Sequence, residues 1–303
     1  MTLSVSTLID SPALGPRPFL TWYGHDGERV ELSATVTANW VTKTANLLVE
    51  EFDAGPGTLV RLHLPPHWRT AVWALATWRV GAGVLLEDDM AADVHVTDRP
   101  GGVPSAGGGA SRGDGASAGR GASADGDASA GSGLGAGRAP SGEVVVVSLP
   151  ALARRFDGEL PPGAIDAAQA VMTYADVIGY VPPLDPSAAA VVGPAPASAG
   201  AAGLGPAGPD LVDLELAVLA AADLAPASAG VVTAYDELES WAAELPPSAR
   251  LAVAPGTGSA LDVDQFLRTV LGALRAGTSL VFVPASHPDP ARILATEHAT
   301  PHP

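Results

Sequence analysis

The chain has 303 residues, 47 % of them hydrophobic, and a formal net charge of −17 at pH 7. This apolar fraction is enough for a real core, whereas the acidic balance argues against a nucleic-acid or anionic-membrane partner, because phosphate binding needs clustered lysine and arginine. The chain has no cysteine, which excludes disulfides, thiolate nucleophiles and cysteine metal sites. No apolar run is long enough to span a bilayer, and residues 1–12 lack the features of a signal peptide, so we expect a cytoplasmic protein.

A β-hairpin and a helix are the first elements predicted along the chain. Two apolar runs, 19–23 and 29–32, flank a Gly-His-Asp-Gly turn, which is a strong hairpin signal. Residues 35–52 have helical spacing, with Ser33 placed to cap the helix and 53–57 placed to end it. The stripe predicted to be buried is Val36, Trp40, Thr44, Leu47, Leu48 and Phe52, and the opposite face carries Thr42, Lys43, Asn46 and Glu50.

A strand, a helix and a second strand are predicted next. Residues 58–64 are mostly apolar and are followed by two prolines, which cannot donate to a central ladder. A helix over 67–80 is apolar on nearly every side and is therefore expected to be buried or to pack on two surfaces. Glycines end this helix, 84–86 gives the next strand, and 94–96 gives a further short one. This order predicts a right-handed parallel crossover.

Two low-complexity segments interrupt the pattern. From 100 to 142 the chain consists largely of Gly, Ala and Ser, which cannot bury enough apolar area to offset the entropy of ordering. We therefore predict a disordered insert there, and a second low-complexity stretch covers 186–209. The predicted organisation is a first α/β segment at 17–99, the insert, and the remainder of the α/β domain at 143–300.

Strands and helices resume after the insert. The valine-rich run at 143–149 predicts a strand buried on both faces of a parallel sheet. Helices are predicted at 165–178, 211–224, 236–245 and 262–275, strands at 250–254 and 278–283, a strand or the approach to a helix at 231–235, and one short helix in a tail that ends in loose residues. This alternation predicts an α/β fold with a doubly wound, mostly parallel sheet.

A glycine-containing segment is the candidate site for a nucleotide phosphate, and it consists of Gly256, Thr257, Gly258 and Ser259. It follows a predicted strand and precedes a predicted helix, where backbone N–H groups and the helix dipole favour anions. A complete P-loop also needs a lysine directly before its Ser or Thr, and this segment has none. An ordinary turn between strand and helix is the favoured alternative.

Metal and hydrolase chemistry have weaker support. Four acidic residues could offer oxygen ligands to Mg²⁺ after a strand, although a solvated loop explains them better. They are Glu87, Asp88, Asp89 and Asp93. His63 and His67 lie on either side of two prolines, which is not the single helical face that paired zinc histidines share. There is no Gly-x-Ser-x-Gly elbow, so we predict no catalytic residue and no metal site.

Several stretches carry a recognisable scaffold pattern. They are Asn-Trp-Val-Thr-Lys-Thr-Ala-Asn-Leu-Leu at 39–48, Gly-Pro-Gly-Thr-Leu-Val-Arg-Leu-His-Leu-Pro-Pro at 55–66, Trp-Arg-Val-Gly-Ala-Gly-Val-Leu-Leu at 78–86 and the helix and strand of 271–281. These residues resemble the N-terminal domain of the adenylate-forming superfamily, the acyl-CoA synthetases and their AMP-binding relatives, and in particular its short truncated members. The resemblance implies their α/β fold, with ATP or AMP and Mg²⁺ as ligands to test.

The catalytic parts of that family are not matched. The family's glycine-rich loop, which ends in Pro-Lys-Gly, should fall before Thr233, but residues 227–230 are Ala-Ser-Ala-Gly. The family also uses a lysine to stabilise the acyl carboxylate as the adenylate forms, and the only lysine here is Lys43, on the N-terminal helix.

The resemblance therefore implies a truncated, synthetase-like pseudoenzyme that lacks autonomous adenylation activity. It would act as a binding or regulatory module for an acyl or nucleotide ligand or for a protein partner. Two alternatives stay open. One is half of a split ligase that activates a carboxylate with ATP together with a partner chain. The other is an unrelated nucleotide-binding protein with a phosphate cradle at 256–259.

Overall fold

The computed structural model describes ten parts of the chain. They are residues 5–10, 15–24, 27–88, 90–102, 142–193, 231–247, 250–253, 262–283, 287 and 289–302. Most of the predicted insert, the helix predicted at 211–224 and the segment 256–259 lie outside these residues. No helix in the described part is long and apolar enough to cross a membrane.

The described residues form twelve strands and seven α-helices. The strands are β1 (Pro18–Tyr23), β2 (Arg29–Ser33), β3 (Leu59–His63), β4 (Gly83–Leu85), β5 (Val94–Thr97), β6 (Glu143–Val146), β7 (Ile165–Asp166), β8 (Ala189–Gly193), β9 (Val231–Ala234), β10 (Arg250–Val253), β11 (Ser279–Phe282) and β12 (Thr300–His302). The helices are α1 (Val5–Ile9), α2 (Ala34–Phe52), α3 (Trp68–Arg79), α4 (Ala167–Ala170), α5 (Leu238–Trp241), α6 (Val263–Ala276) and α7 (Pro290–Glu297), with 3₁₀ turns at Pro100–Gly102 and Val171–Thr173.

Two mostly parallel sheets organise these elements. One has the order β12-β10-β11-β1-β2, in which only β2 is antiparallel to its neighbour. The other has the order β7-β6-β5-β3-β4-β8-β9, in which only β9 is antiparallel. The predicted hairpin is β1 and β2, and the predicted crossover is β3, α3 and β4, with β3 parallel to β4. The doubly wound, mostly parallel α/β fold is therefore confirmed, with its strands divided between two sheets.

Helix α3 joins the two sheets. All of its residues are buried, and it contacts β1 of the five-stranded sheet, β3 and β4 of the seven-stranded sheet, and helix α2. The helix begins after His67, whose Nδ1 accepts a hydrogen bond from the backbone N–H of Arg69 at 3.1 Å. Its nearly continuous apolar surface predicted this burial, because a helix that is apolar all round must pack on more than one surface.

Helix α2 begins and ends where the sequence predicts, but its buried face differs. The Ser33 hydroxyl accepts from the N–H of Val36 at 3.2 Å, which caps the helix. Val36 itself, predicted in the buried stripe, is 41 % exposed, whereas Thr42 and Asn46 from the predicted polar face are buried. The predicted polar face is covered because Lys43 and Asn46 donate hydrogen bonds to backbone carbonyls of the segment 174–177.

The helix predicted at 165–178 is wrong. That segment contains β7, the single turn of α4 and a 3₁₀ turn, after which no regular element is assigned. Its apolar residues do not share one buried face, since Val171 is buried but Met172 and Val177 are 58 % and 73 % exposed. The Asn46 amide donates to the carbonyl oxygens of Ala175 and Val177 at 2.9 and 3.0 Å. Helical hydrogen bonds along the segment would compete for those carbonyls.

Three further elements differ from the expectation. Strand β8 lies in the stretch read as low-complexity, and it pairs with β4 on one side and β9 on the other. The chain end read as loose forms β12 against β10. The helix predicted at 236–245 is only the one turn of α5. In the first two cases the pairing with distant strands overrides weak local propensity.

Candidate small-molecule site

An open pocket borders the carboxyl ends of β5 and β6. The two strands are adjacent and parallel, so the residues that follow them leave the sheet at the same edge. Asp98 after β5 and residues 147–150 after β6 line the pocket, whose volume is about 260 Å³. Open α/β sheets bind their ligands at this edge. The volume lies just below the roughly 300 Å³ at which pockets for drug-sized molecules begin, so the pocket suits a small ligand.

The pocket has apolar and charged linings. Leu149 and Phe156 are among the apolar residues, and Asp98, Arg155 and Asp157 are the charged ones. Arg155 and Asp157 are exposed, and within the described residues no hydrogen bond or ion pair engages their charged groups. The Asp98 side chain is only 13 % exposed and lies 3.7 Å from the Arg99 guanidinium. Charges of both signs are thus available to a ligand.

Arg69 of α3 holds one wall of the pocket in place. Its guanidinium donates to the carbonyl oxygens of Leu149, Pro150 and Ala151 at 3.4, 3.1 and 3.3 Å. The carboxylate of Glu28 accepts from the N–H of Ala151 at 2.8 Å. Burial lowers the pKa of Arg69 to about 10, against the opposing effect of the Glu28 charge, so the guanidinium stays charged at neutral pH.

A second set of contacts fixes the backbone of the lining residues Arg155 and Phe156. The buried hydroxyl of Ser148 donates to the carbonyl oxygen of Arg155 at 3.2 Å. The carboxylate of Asp166 accepts from the N–H of Phe156 at 2.8 Å. The Phe156 ring covers Gly158, where an added Cβ would come within 2.6 Å of the ring. The pocket is therefore preformed by backbone contacts that do not engage the charged groups of Arg155 and Asp157.

His67, which caps α3, is buried between aromatic rings. It is only 5 % exposed, and its ring packs against Trp22 at 4.9 Å and Trp68 at 5.6 Å between centroids. Burial and the charge of Arg69 lower the pKa of His67 to about 3, so the imidazole is neutral. His63, by contrast, is exposed, and the two histidines therefore face different environments.

The acidic residues singled out in the sequence are not gathered into one site. Glu87 follows the carboxyl end of β4, and its carbonyl oxygen accepts from Arg61 at 3.0 Å. Asp93 precedes β5 at the opposite edge, where its carboxylate accepts from the N–H of Leu59 at 2.8 Å. Asp89 lies outside the described residues. Among those that are described, no three His, Cys, Asp or Glu side chains are grouped so as to hold a metal ion.

Of the phosphate candidate and the lysine, the structure describes only the lysine. Gly256, Thr257, Gly258 and Ser259 fall outside the described residues. Lys43 is on α2 and donates to the carbonyl oxygen of Tyr174. It does not line the pocket, and its contact belongs to the packing of α2 on the segment at 174–177.

Sequence reasoning missed the residues that do line the pocket. A partial signal was available, because Asp98 follows the short strand predicted at 94–96 and Pro150 follows the strand predicted at 143–149 to be buried in a parallel sheet. The loop that carries Arg155 and Asp157 has no such signal. Its position depends on the buried contacts of Ser148 and on a carboxylate at 166 that the sequence placed inside a helix.

The comparisons with known proteins place this fold. No protein-family model matches the chain. A protein of Mycobacterium tuberculosis (strain ATCC 25618 / H37Rv), described as a TIGR03089 family protein, is 32 % identical over 97 % of this chain and 93 % of its own length. The chain belongs to the TIGR03089 family.

Solved structures show what fold this family member has. An acyl-CoA synthetase from Brucella canis superposes with a TM-score of 0.62 at 14 % identity, over 99 % of this chain and 47 % of the synthetase. ATP-bound MatB from Rhodopseudomonas palustris gives 0.57 at 14 %, over 97 % and 47 %. The Klebsiella oxytoca NpsA N-terminal subdomain with 3-hydroxybenzoyl-AMSN gives 0.56 at 14 %, over 99 % and 59 %. The TIGR03089 chain therefore has an acyl-CoA-synthetase-like fold and spans about half the length of these proteins.

Proposed function

We propose that this TIGR03089 chain is a synthetase-like binding or regulatory module that does not form adenylates by itself. The observation that carries the proposal is the position of Lys43, the only lysine of the chain. Its ammonium group donates to the carbonyl of Tyr174 and does not line the pocket. The charge that develops on an acyl carboxylate during adenylation needs a preorganised cation, and this lysine is committed elsewhere.

The ligand site of the module is the pocket at the carboxyl ends of β5 and β6. Its preformed walls and exposed charges support binding of a small charged molecule, and we propose that the module acts in the cytoplasm. ATP-bound MatB and NpsA with 3-hydroxybenzoyl-AMSN support ATP, AMP and acyl-adenylates as the first ligands to test, with Mg²⁺ where a phosphate is present.

We also propose that segments 17–99 and 143–300 form one domain interrupted by the insert. Strand β5 comes from the first segment and β6 from the second, yet they are adjacent in one sheet and pair from Val94–Glu143 to Thr97–Val146. A sheet that takes neighbouring strands from both segments cannot be divided between them. The residues between β5 and β6 are then a long connection within one domain.

A split ligase is the second candidate, and an exposed apolar surface favours it. Met172, Val177 and Tyr180 are 58 %, 73 % and 63 % exposed along one short segment. Large apolar side chains clustered on a surface mark sites of interaction with other proteins. A partner chain that covers them and supplies a lysine would complete the ligase.

The deciding experiment measures ATP–pyrophosphate exchange by the purified chain with a panel of carboxylates. A parallel thermal-shift screen uses ATP with Mg²⁺, AMP, fatty acids and acyl-CoA. We expect no exchange. A ligand of the panel that binds the native state would stabilise it by about 2.7 kcal/mol at a hundredfold excess over Kd. Carboxylate-dependent exchange by the chain alone would overturn the proposal.

The same screen separates the two alternatives. Exchange that appears only after a partner chain is added favours the split ligase. An ATP shift that Gly258→Pro abolishes and Gly101→Pro, at a glycine outside the segment, leaves intact favours the phosphate cradle at 256–259. If no ligand of the panel shifts the midpoint, the acyl or nucleotide specificity is wrong.

A further inference from the structure

The pocket at the carboxyl ends of β5 and β6 has positively and negatively charged side chains on a backbone that hydrogen bonds hold in place. Its walls are held by hydrogen bonds to the backbone of Leu149, Pro150, Arg155 and Phe156. These bonds use side chains from outside the lining, or the buried hydroxyl of Ser148, so they consume none of the three charged groups at the pocket. A frame of this kind binds with little loss of conformational freedom.

The chemistry of Arg155 and Asp157 is complementary to a zwitterion, since the third charge, Asp98, already lies 3.7 Å from the Arg99 guanidinium. The exposed Arg155 guanidinium offers a fork of N–H donors that matches a carboxylate. Asp157 offers carboxylate oxygens, which accept from an ammonium group but not from another anion. Leu149 and Phe156 supply apolar surface to the same lining.

We propose that this pocket binds a small zwitterion, a molecule that carries an ammonium and a carboxylate on one short carbon skeleton. The inference rests on the proposed function, because it names the ligand class of the same site. It also goes beyond it, because the ligand is recognised through both of its charges and not through an acyl chain or a phosphate.

Other ligand classes leave charges of the pocket uncompensated. A fatty acyl chain satisfies Arg155 with its carboxylate but covers Asp157 with hydrocarbon, and a buried unpaired charge is costly. A nucleotide brings several negative charges to a lining with two carboxylates and one guanidinium. The volume of about 260 Å³ is also small for an entire nucleotide.

The test compares one skeleton in three charge states. The full chain is first screened by thermal shift against the proteinogenic amino acids, each at about 10 mM, where a millimolar ligand already raises the midpoint. Calorimetry then measures Kd for leucine, or for whichever amino acid gives the largest shift, and for its deaminated and decarboxylated analogues. We expect the zwitterion to bind at least about tenfold more tightly than either analogue, since each lacks one charge-assisted contact.

Two variants and one control assign the charges to residues. Arg155→Met should bring the affinity for the zwitterion down to that for its decarboxylated amine, and Asp157→Asn should bring it down to that for the deaminated acid. Arg154→Met is the matched control, because Arg154 is the adjacent exposed arginine and does not line the pocket. Far-UV circular dichroism checks that all three variants fold.

Several results would overturn the inference. One is the absence of a shift by every amino acid, and another is a deaminated analogue that binds as tightly as its parent. A third is an equal loss of affinity in Arg154→Met and Arg155→Met. If AMP or a fatty acid shifts the thermal midpoint and no amino acid does, the zwitterion proposal is wrong, but the proposed function is not contradicted. Pyrophosphate exchange by the chain alone contradicts the proposed function. The calorimetric comparison of the zwitterion with its two analogues still decides the ligand class.

Discussion

Arg69 is a buried cation that is stabilised mainly by carbonyl groups. Its residue exposure is 8 %, and its guanidinium lies 4.3 Å from the ring centre of Trp68 and 5.6 Å from that of Trp40. A buried charge is costly unless it is hydrogen-bonded, and here three carbonyl oxygens and two aromatic faces meet that need. Because those carbonyls belong to one wall of the pocket, a residue outside the lining sets its shape.

Replacing Arg69 by Met should lower the free energy of unfolding by about 1–3 kcal/mol, the range for removing one partner of buried polar groups. Arg69→Lys should not restore it, because an ammonium group lacks the planar fork that reaches several carbonyls. Urea denaturation of both variants measures the loss, with Arg154→Met as a surface control expected within about 0.5 kcal/mol of the wild type. An unchanged midpoint in Arg69→Met would show that the wall does not depend on this side chain.

At the scale of elements, the end of α7 is tied to the five-stranded sheet through one carboxylate. Glu297 accepts hydrogen bonds from Tyr23 on β1, from Arg29 on β2 at 2.9 Å and from Arg250 on β10. Burial would raise the pKa of Glu297, but the hydrogen bonds from Arg29, Tyr23 and Arg250 prevail and lower it to about 2. One charge therefore joins three strands to the last helix.

This arrangement predicts a defined loss of stability in acid. The pKa of Glu297 falls from 4.5 to about 2 on folding, so the ionised group stabilises the native state fully above about pH 4.5 and loses this effect as pH falls towards 2. Glu297→Gln should cost at most about 3 kcal/mol at pH 7, less where solvent screens Arg29. The gap between the two proteins in urea denaturation should close by about pH 2.

The exposed Glu159 gives the matched control for that measurement. Glu159→Gln makes the same change of charge at a surface position and should leave the free energy of unfolding within about 0.5 kcal/mol at every pH. A gap between wild type and Glu297→Gln that stays constant from pH 7 to pH 2 would mean that ionisation of Glu297 is not the source of the effect.

At the scale of the whole molecule, the sequence predicts those elements whose local signals agree with their tertiary surroundings. Helix α3 and strands β3, β4 and β6 were predictable because their apolar patterns match burial on several sides. Strand β8, with two alanines and a glycine, has little propensity of its own and exists through its neighbours β4 and β9.

The contrast between local signals and tertiary contacts also explains which parts of the candidate site were predictable. The location of the pocket follows from parallel strands, which the sequence indicates. Its charged lining does not, because Arg155 and Asp157 stand on a loop whose course is set by Ser148 and Asp166. The polar face of α2 was missed for a related reason, since Asn46 binds backbone carbonyls and no apolar periodicity reports such a contact.

The long connection between β5 and β6 gives the prediction that tests the domain organisation. The two strands pair along their whole described length, and a parallel connection needs only about a dozen residues to return across the sheet. Replacing 103–141 with a Gly-Ser linker of about 15 residues should therefore leave the free energy of unfolding within about 1 kcal/mol, because the entropy of closing a loop changes only slowly with its length. Val145→Asp places a charge in the buried centre of β6. Its denaturation midpoint shows how far stability falls when the sheet is disrupted. A midpoint for the linker variant near that of Val145→Asp would mean that residues 103–141 contribute to the folded core, and the division into 17–99, 100–142 and 143–300 would then be wrong.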